Sequence, residues 1–271
     1  MISIELVTNG DISIMQTIAS IKAQTYQDFE VIIIDSSQKP LINENELDEK
    51  FRVYRHSANL LSKRYQANCY AEGEFVLLLE GTRILSPDCL SKCVEKSVDS
   101  DMLILPEGSI GRSFVSTLIA NEKRASLSQH NISMSIEPQR GFVLPRFFRK
   151  SLLDRVFDRI TSRLTPEQMA RVFYGDHSII NVEAQSLSSR IGILTNEVVF
   201  HYEDETLIKL IRKYYGYGRS NKILAENRSY RSVALMQNKI RIMHGNDMRS
   251  QLYLYLLSAL KGIPFWLGYL L

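Results

Sequence analysis

Cysteine is scarce: Cys69, Cys89 and Cys93 are the only three in 271 residues. They cannot all pair, and each falls in an expected helix, so a disulfide framework is excluded and a reducing, cytosolic setting is expected. Cys89 and Cys93 share a helix face with no Cys or His companion nearby, which argues against zinc. Net charge is also small, at +3, so no nucleic-acid partner is expected. Internal repeats and low-complexity tracts are missing. The turn after the first strand, Val7-Thr8-Asn9-Gly10-Asp11, is too poor in glycine to cradle phosphates, which argues against a nucleotidyltransferase. The chain begins directly on an expected strand, so no signal peptide is expected. Acids are nearly absent from the C-terminal part: after Glu205 only Glu226 and Asp247 stand against eleven Lys and Arg. Such a segment either faces phosphate or anionic lipid, or is a solvated helix surface.

What is present is an ordinary globular composition, 45% hydrophobic and 23% charged, long enough to bury a sizeable core. The stretch Ile18–Ser37 says most. An amphipathic helix ends at a Gln-Thr-Tyr turn, and a buried run from Phe29 to Ile34 stops at a lone carboxylate, Asp35. Open α/β sheets bind ligands at the carboxyl ends of their strands. Strands are expected at Ile2–Val7, Phe29–Asp35, Phe51–Arg55, Phe75–Leu79, Met102–Leu105, Phe142–Phe148, Ile191–Thr195 and Val198–Tyr202. Helices are expected at Ile12–Ala23, Leu60–Ala71, from Pro87 onward, Phe114–Ala125, Ser151–Ile160, Asp176–Ser186 and from Thr206 onward. Ser126–Gln139 is polar and reads as a loop. The alternation implies a mostly parallel sheet with right-handed crossovers, and places candidate site residues at Thr8–Asn9, Asp35–Ser37 and Glu80–Arg83. The apolar segment Leu252–Leu271, interrupted by Lys261, Gly262 and Pro264, is marginal as a membrane span. Its Tyr253, Tyr255, Trp266 and Tyr269 suit a membrane interface, and packing on the sheet domain is the other reading.

Four stretches together resemble family 2 glycosyltransferases. They are Ile18–Ser37; Lys63–Glu80 (KRYQANCYAEGEFVLLLE) with the following ILSPDCL; Pro145–Leu153 (PRFFRKSLL); and Tyr174–Ser220, which carries YGDHSII, VVFHYE and IRKYYGYGRS. The resemblance spans most of residues 2 to 222. It implies an α/β, GT-A-like Rossmann-type fold, a mostly parallel sheet flanked by helices with a helical C-terminal extension. The implied division is a catalytic domain at 1–205, with a nucleotide-binding half to about 106 and an acceptor half beyond it, and an extension at 206–271. The implied activity is inverting transfer of a hexose from a UDP- or GDP-sugar to a hydroxyl acceptor. That acceptor is either lipid-linked or soluble, with the protein cytoplasmic or peripheral at the cytoplasmic face of the membrane. A non-catalytic nucleotide-sugar-binding or partner protein is the alternative.

Such chemistry needs a counter-charge for the diphosphate, acceptors for base and ribose, and a general base for the acceptor hydroxyl. By resemblance, Asp35 recognises the nucleotide (or caps the next turn), Thr8 and Asn9 line the same pocket, and Arg64 lies on the helix crossing below it (or on a solvated face). Glu80-Gly81-Thr82 occupies the family's Asp-x-Asp position, which holds Mg2+ or Mn2+. Glu80 remains a hard ligand, Thr82 offers only a hydroxyl, and Arg83 adds positive charge that can partly replace the cation. Asp176 matches the family's catalytic base (or is a helix cap), with Gly175 in place of the preceding Glu. His177 stands where the family often has an aromatic residue stacking on the acceptor sugar. His201 ends a strand where the family's His reaches metal or diphosphate, or is a structural residue. Lys213, Tyr214, Tyr217 and Arg219 are implied to close over the phosphates.

Overall fold

The computed structural model describes residues 1–130, 144–172, 174–204, 206–237 and 248–271. Its centre is a seven-stranded sheet built from β1 (Ile2–Thr8), β2 (Phe29–Asp35), β3 (Phe51–Arg55), β4 (Phe75–Glu80), β6 (Met102–Ile104), β8 (Pro145–Arg149) and β9 (Ile191–Ile193) in the order β3-β2-β1-β4-β8-β6-β9. The first four strands are mutually parallel. β8 runs antiparallel between β4 and β6. All seven residues of β1 are buried, because helices cover both faces of the sheet. On one face α1 (Ile14–Lys22) contributes Ile14, Ile18 and Ile21, and α3 (Cys89–Lys96) contributes Cys89, Leu90 and Cys93. On the other, α5 (Lys150–Arg163) and α7 (Asp176–Leu187) pack Leu153, Val156, Phe157 and Ile180 against Val76, Leu78 and Phe148.

Register then sets the site. Thr8 pairs with Asp35, and Val7 with Glu80. The carboxyl ends of β2, β1 and β4 therefore lie side by side, with α2 (Leu60–Tyr70) crossing behind them. A second sheet, of which only the Val198–Tyr202 strand is legible in the sequence, joins β5 (Arg83–Leu85), β10 (Val199–Tyr202) and β7 (Glu107–Ile110) in the order β5-β10-β7. It sets His201 beside both Arg83 and Ser109.

Several expectations shift. The helix after Pro87 begins at Cys89, with Asp88 as its N-cap. α4 (Phe114–His130) carries the helix past Ala125 into the expected loop, whose remainder, with Phe142, lies outside the described residues. The short α6 (Pro166–Arg171) was not anticipated; a reciprocal Thr165–Gln168 capping box and a proline at its start hold it. Beyond Thr206 the chain forms α8 (Leu207–Glu226), α9 (Arg231–Gln237) and α10 (Met248–Leu270). α10 continues through Lys261, Gly262 and Pro264, and Lys261 turns inward to pair with Glu122. A Cβ at Gly218 would collide with the Phe265 carbonyl, and one at Gly268 with the Tyr215 carbonyl. These two glycines let α8 and α10 cross backbone against backbone. No described helix is long and apolar enough to cross a membrane.

Candidate active site

The ends of β1 and β2 are tied by Lys63 of α2. Its Nζ donates to the Thr8 carbonyl (3.0 Å), Asn9 Oδ1 (2.6 Å) and Ser36 Oγ (3.0 Å). Burial, and then the neighbouring Arg64 charge, lower its pKa to about 8 against the pull of Asp11, Asp35 and Asp176. Thr8 Oγ1 donates to Asp11 Oδ2 at 2.9 Å and accepts from the Gly10 and Asp11 amides. Asp35 is 1% exposed at its side chain; it accepts from the Ser37 amide (2.8 Å) and from Arg55 (2.7 Å). Thr8, Asn9 and Asp35 thus come together, each already holding its own turn.

Arg64 is the hub. Fully buried, it donates from Nη1 to the Glu5 (3.1 Å) and Leu79 (2.8 Å) carbonyls. Its Nη2 pairs with Glu80 and its Nε lies 3.5 Å from Asp176 Oδ2. The sequence resemblance put Arg64 below the nucleotide; the structure puts it between two acids. Glu80 also pairs with Arg83 and lies 3.3 Å from Arg146 and 2.7 Å from His177 Nε2. Arg146 Nη1 lies 3.0 Å from the same ring nitrogen, so Nε2 faces a carboxylate acceptor and a guanidinium donor at once. His177 Nδ1 is buried with no hydrogen-bond partner. Burial, and then the arginines around it, hold the imidazole pKa well below its ordinary value despite Asp176.

Asp176 opens α7 and is buried. Burial pushes its carboxyl up, but the His177, Arg64 and Arg146 charges and the His177 backbone outweigh it, so the pKa is lowered and the group is ionised. Gly175 explains itself: its φ is +91°, and a Cβ there would meet only Leu224 Cδ1, at an ordinary 3.9 Å. The left-handed turn into α7, not crowding, favours glycine there.

A second polar layer adjoins the first. Arg83 and Arg146 both reach Glu107, at 2.9 and 2.6 Å. Lys123 of α4 lies 3.1 Å from Glu107, 2.6 Å from Glu203 and 3.4 Å from His201 Nδ1. His201 Nδ1 is 3.0 Å from Glu203. Burial, then the Arg83 charge, press the His201 pKa down to about 3. Burial pushes the Glu107 carboxyl up, but the Arg146, Arg83 and Lys123 charges beside it hold it well below the carboxylate range.

The described residues bring one possible metal-binding group together: Glu80, Asp176 and His177, whose ligand atoms lie within 4.8 Å of one another. His201 is outside it. The spacing suits an ion but the surroundings do not. Arg64 already bridges Glu80 Oε1 and Asp176 Oδ2, Arg83 and Arg146 press on the Glu80 carboxylate, and His177 Nε2 sits between that carboxylate and Arg146. Thr82 is neutral, and its carbonyl accepts from the Tyr202 amide. Mg2+ or Mn2+ requires oxygen ligands unopposed by adjacent guanidinium charge, so the residues present do not fit the ion.

α8 covers the site from above. Tyr174 stacks obliquely on Tyr217 at 4.6 Å, and its amide donates to Ser220 at 3.1 Å. Asp176 and Arg83 are among the charges acting on Tyr217. Tyr214 packs on Tyr217 at 5.3 Å, and Lys213 pairs with Asp204 at 3.1 Å. Arg219 is not brought in; it lines a separate surface cavity of about 340 Å³ with Arg171, Lys222 and Glu226. Sequence reading missed Arg146, Glu107, Lys123, Glu203 and Glu5. An arginine inside the apolar strand PRFFR was a legible signal; α4 and the short second sheet gave none.

The titrations here have a sign. Glu5 is buried with neither oxygen bonded, and burial, opposed by Arg64, raises its pKa to about 8. It binds its proton before the unfolded chain does, so it stabilises the fold increasingly as pH falls from about 8 to its ordinary 4.5. His177 and His201 do the reverse below 6.5, where only unfolded imidazoles take up protons. Two losses against one gain leave stability falling as pH drops below 6.5. Urea unfolding between pH 8 and 5 is expected to show maximal stability near pH 6.5; a monotonic profile contradicts these protonation states.

Residues 9–108 match the sequence profile of Glycosyl transferase family 2. No curated protein matches the chain. Among solved structures, S. aureus TarS superposes with a TM-score of 0.54 at 17% identity, covering 83% of this chain and 42% of that one. TarS 1–349 in complex with UDP-GlcNAc gives 0.56 at 14% identity over 87% and 71% of the two chains. The UDP complex gives 0.53 at 15% over 87% and 70%. The likeness is one of fold: a mixed α/β GT-A-like architecture. The chain spans well under half of the longer TarS structure.

Proposed function

We propose that this protein is a glycosyltransferase that takes a sugar from a nucleoside-diphosphate donor and passes it to a hydroxyl acceptor. The reading rests on one observation: Glu80, Arg64, Asp176 and His177, far apart in sequence, meet at the carboxyl end of β4 beside the aligned ends of β1 and β2. The matched family segment and the nucleotide-bearing TarS neighbours support it. In this reading Asp35 receives the nucleoside and Asp176 acts as base. The acceptor oxygen bonds to the anomeric carbon as that carbon's bond to the diphosphate oxygen breaks, and the acceptor proton passes to Asp176. A single in-line displacement inverts the anomeric centre. A UDP- or GDP-hexose is the proposed donor.

The acceptor is proposed to lie at a membrane surface. Leu252, Leu256, Ile263, Trp266, Leu267 and Leu270 are exposed along α10, and exposed Ile208 and Ile211 on α8 neighbour exposed Lys209 and Arg212. An apolar stripe beside cations suits an anionic bilayer.

A second reading, donor binding without transfer, is favoured by the crowding of Glu80 and by Asp176 being 4% exposed. One assay separates the two. UDP- and GDP-sugars are incubated with soluble and vesicle-borne hydroxyl acceptors, and nucleoside diphosphate release is followed. Release with at least one donor is expected. Donor binding with no release from any pair identifies the binding module instead.

A further inference from the structure

The structure assigns the counter-charge for the donor diphosphate to Arg83 and Arg146 in place of a divalent cation; this rests on the transferase reading above. Arg83 and Arg146 are held against each other, each spanning the same two carboxylates, Glu80 and Glu107. Like charges are placed together at a cost that a packed core does not require. Burial, and then the Arg146 charge, lower even the Arg83 pKa. The pair is not sealed: the two side chains keep 12% and 10% of their surface exposed, whereas Arg64 keeps none. Arg83 reaches this position because it follows the degenerate acidic signature and opens β5. Arg146 reaches it from β8, the strand hydrogen-bonded next to β4.

A guanidinium fork offers paired N–H donors that match phosphate oxygens, and its charge needs no coordination sphere. An incoming diphosphate accepts from these two forks in exchange for part of their bonding to Glu80, which keeps Arg64 as its charge partner. Thr82 at the second signature position and the two arginines beside Glu80 then belong to one arrangement: a neutral side chain where a metal ligand would stand, and guanidinium charge where the metal's charge would stand.

The test is titration of the full chain with UDP and with GDP, in EDTA and in excess Mn2+. The nucleoside diphosphate that binds is expected to do so equally in both buffers, within about threefold, and Arg146→Gln is expected to weaken it by about tenfold or more in both. The nucleoside monophosphate is expected to be far less sensitive to Arg146→Gln, because it lacks the second phosphate. The wild-type comparison needs no variant to fold. Binding that appears only with Mn2+ overturns the inference while leaving donor binding intact. Failure of both nucleotides in both buffers refutes the donor-binding reading, and this inference with it.

Discussion

Asp176→Asn is expected to lower transfer by about a hundredfold to ten-thousandfold, the range for losing a general base, while nucleoside diphosphate affinity stays nearly unchanged. Asparagine keeps the shape and the position at the start of α7 but cannot take a proton. The native carboxyl is ionised because His177 and Arg64 outweigh its burial, so the base is present in the right state at neutral pH. In the proposed transferase its lowered pKa makes it a modest base, one that works where the acceptor hydroxyl meets it desolvated and oriented. Arg64 retains Glu80 as its charge partner in this variant, so the fold is expected to survive. Parallel measurement of turnover and of UDP or GDP binding checks the split. Unchanged turnover removes Asp176 from the base role.

The second large effect is on stability. Arg64→Met is expected to cost about 3–5 kcal/mol, the range for stripping one partner from a buried ion pair. The guanidinium satisfies the carbonyls of Glu5 and Leu79 and neutralises Glu80 and Asp176 from a fully buried position. Methionine fills much of the volume but leaves two backbone acceptors and Asp176 without it. Glu80 keeps Arg83, Arg146 and His177, so the loss falls chiefly on Asp176 and the strand ends. Urea unfolding reads the difference directly; a loss under about 1 kcal/mol, the level of a surface pair, contradicts the hub role.

These effects show which parts of the molecule were legible beforehand. β1, β2, β4 and α1 were readable because continuous apolar runs and the helical spacing of Ile14, Ile18 and Ile21 encode burial directly, and β2 was bounded to the residue by Asp35. Asp176 and Glu80 were reachable because order and spacing of motifs carried them. The second sheet was not, since Glu107–Ile110 and Arg83–Leu85 have too few residues for a period to show. The pairing of Arg83 and Arg146 depends on β8 inserting antiparallel beside β4, a tertiary fact with no local trace. Arg219 illustrates the converse. It lies in a run that matches the family, yet its place on α8 turns it to the cavity with Arg171 and Lys222.

The most direct test of the account is where a nucleoside diphosphate sits when bound. A structure of the complex is expected to show the diphosphate within hydrogen-bond distance of Arg83 and Arg146, the base beside Asp35, and Asp176 facing the side on which the donor's sugar would lie. A nucleotide bound instead in the Arg171–Arg219–Lys222 cavity, with the Glu80 cluster unchanged, contradicts it.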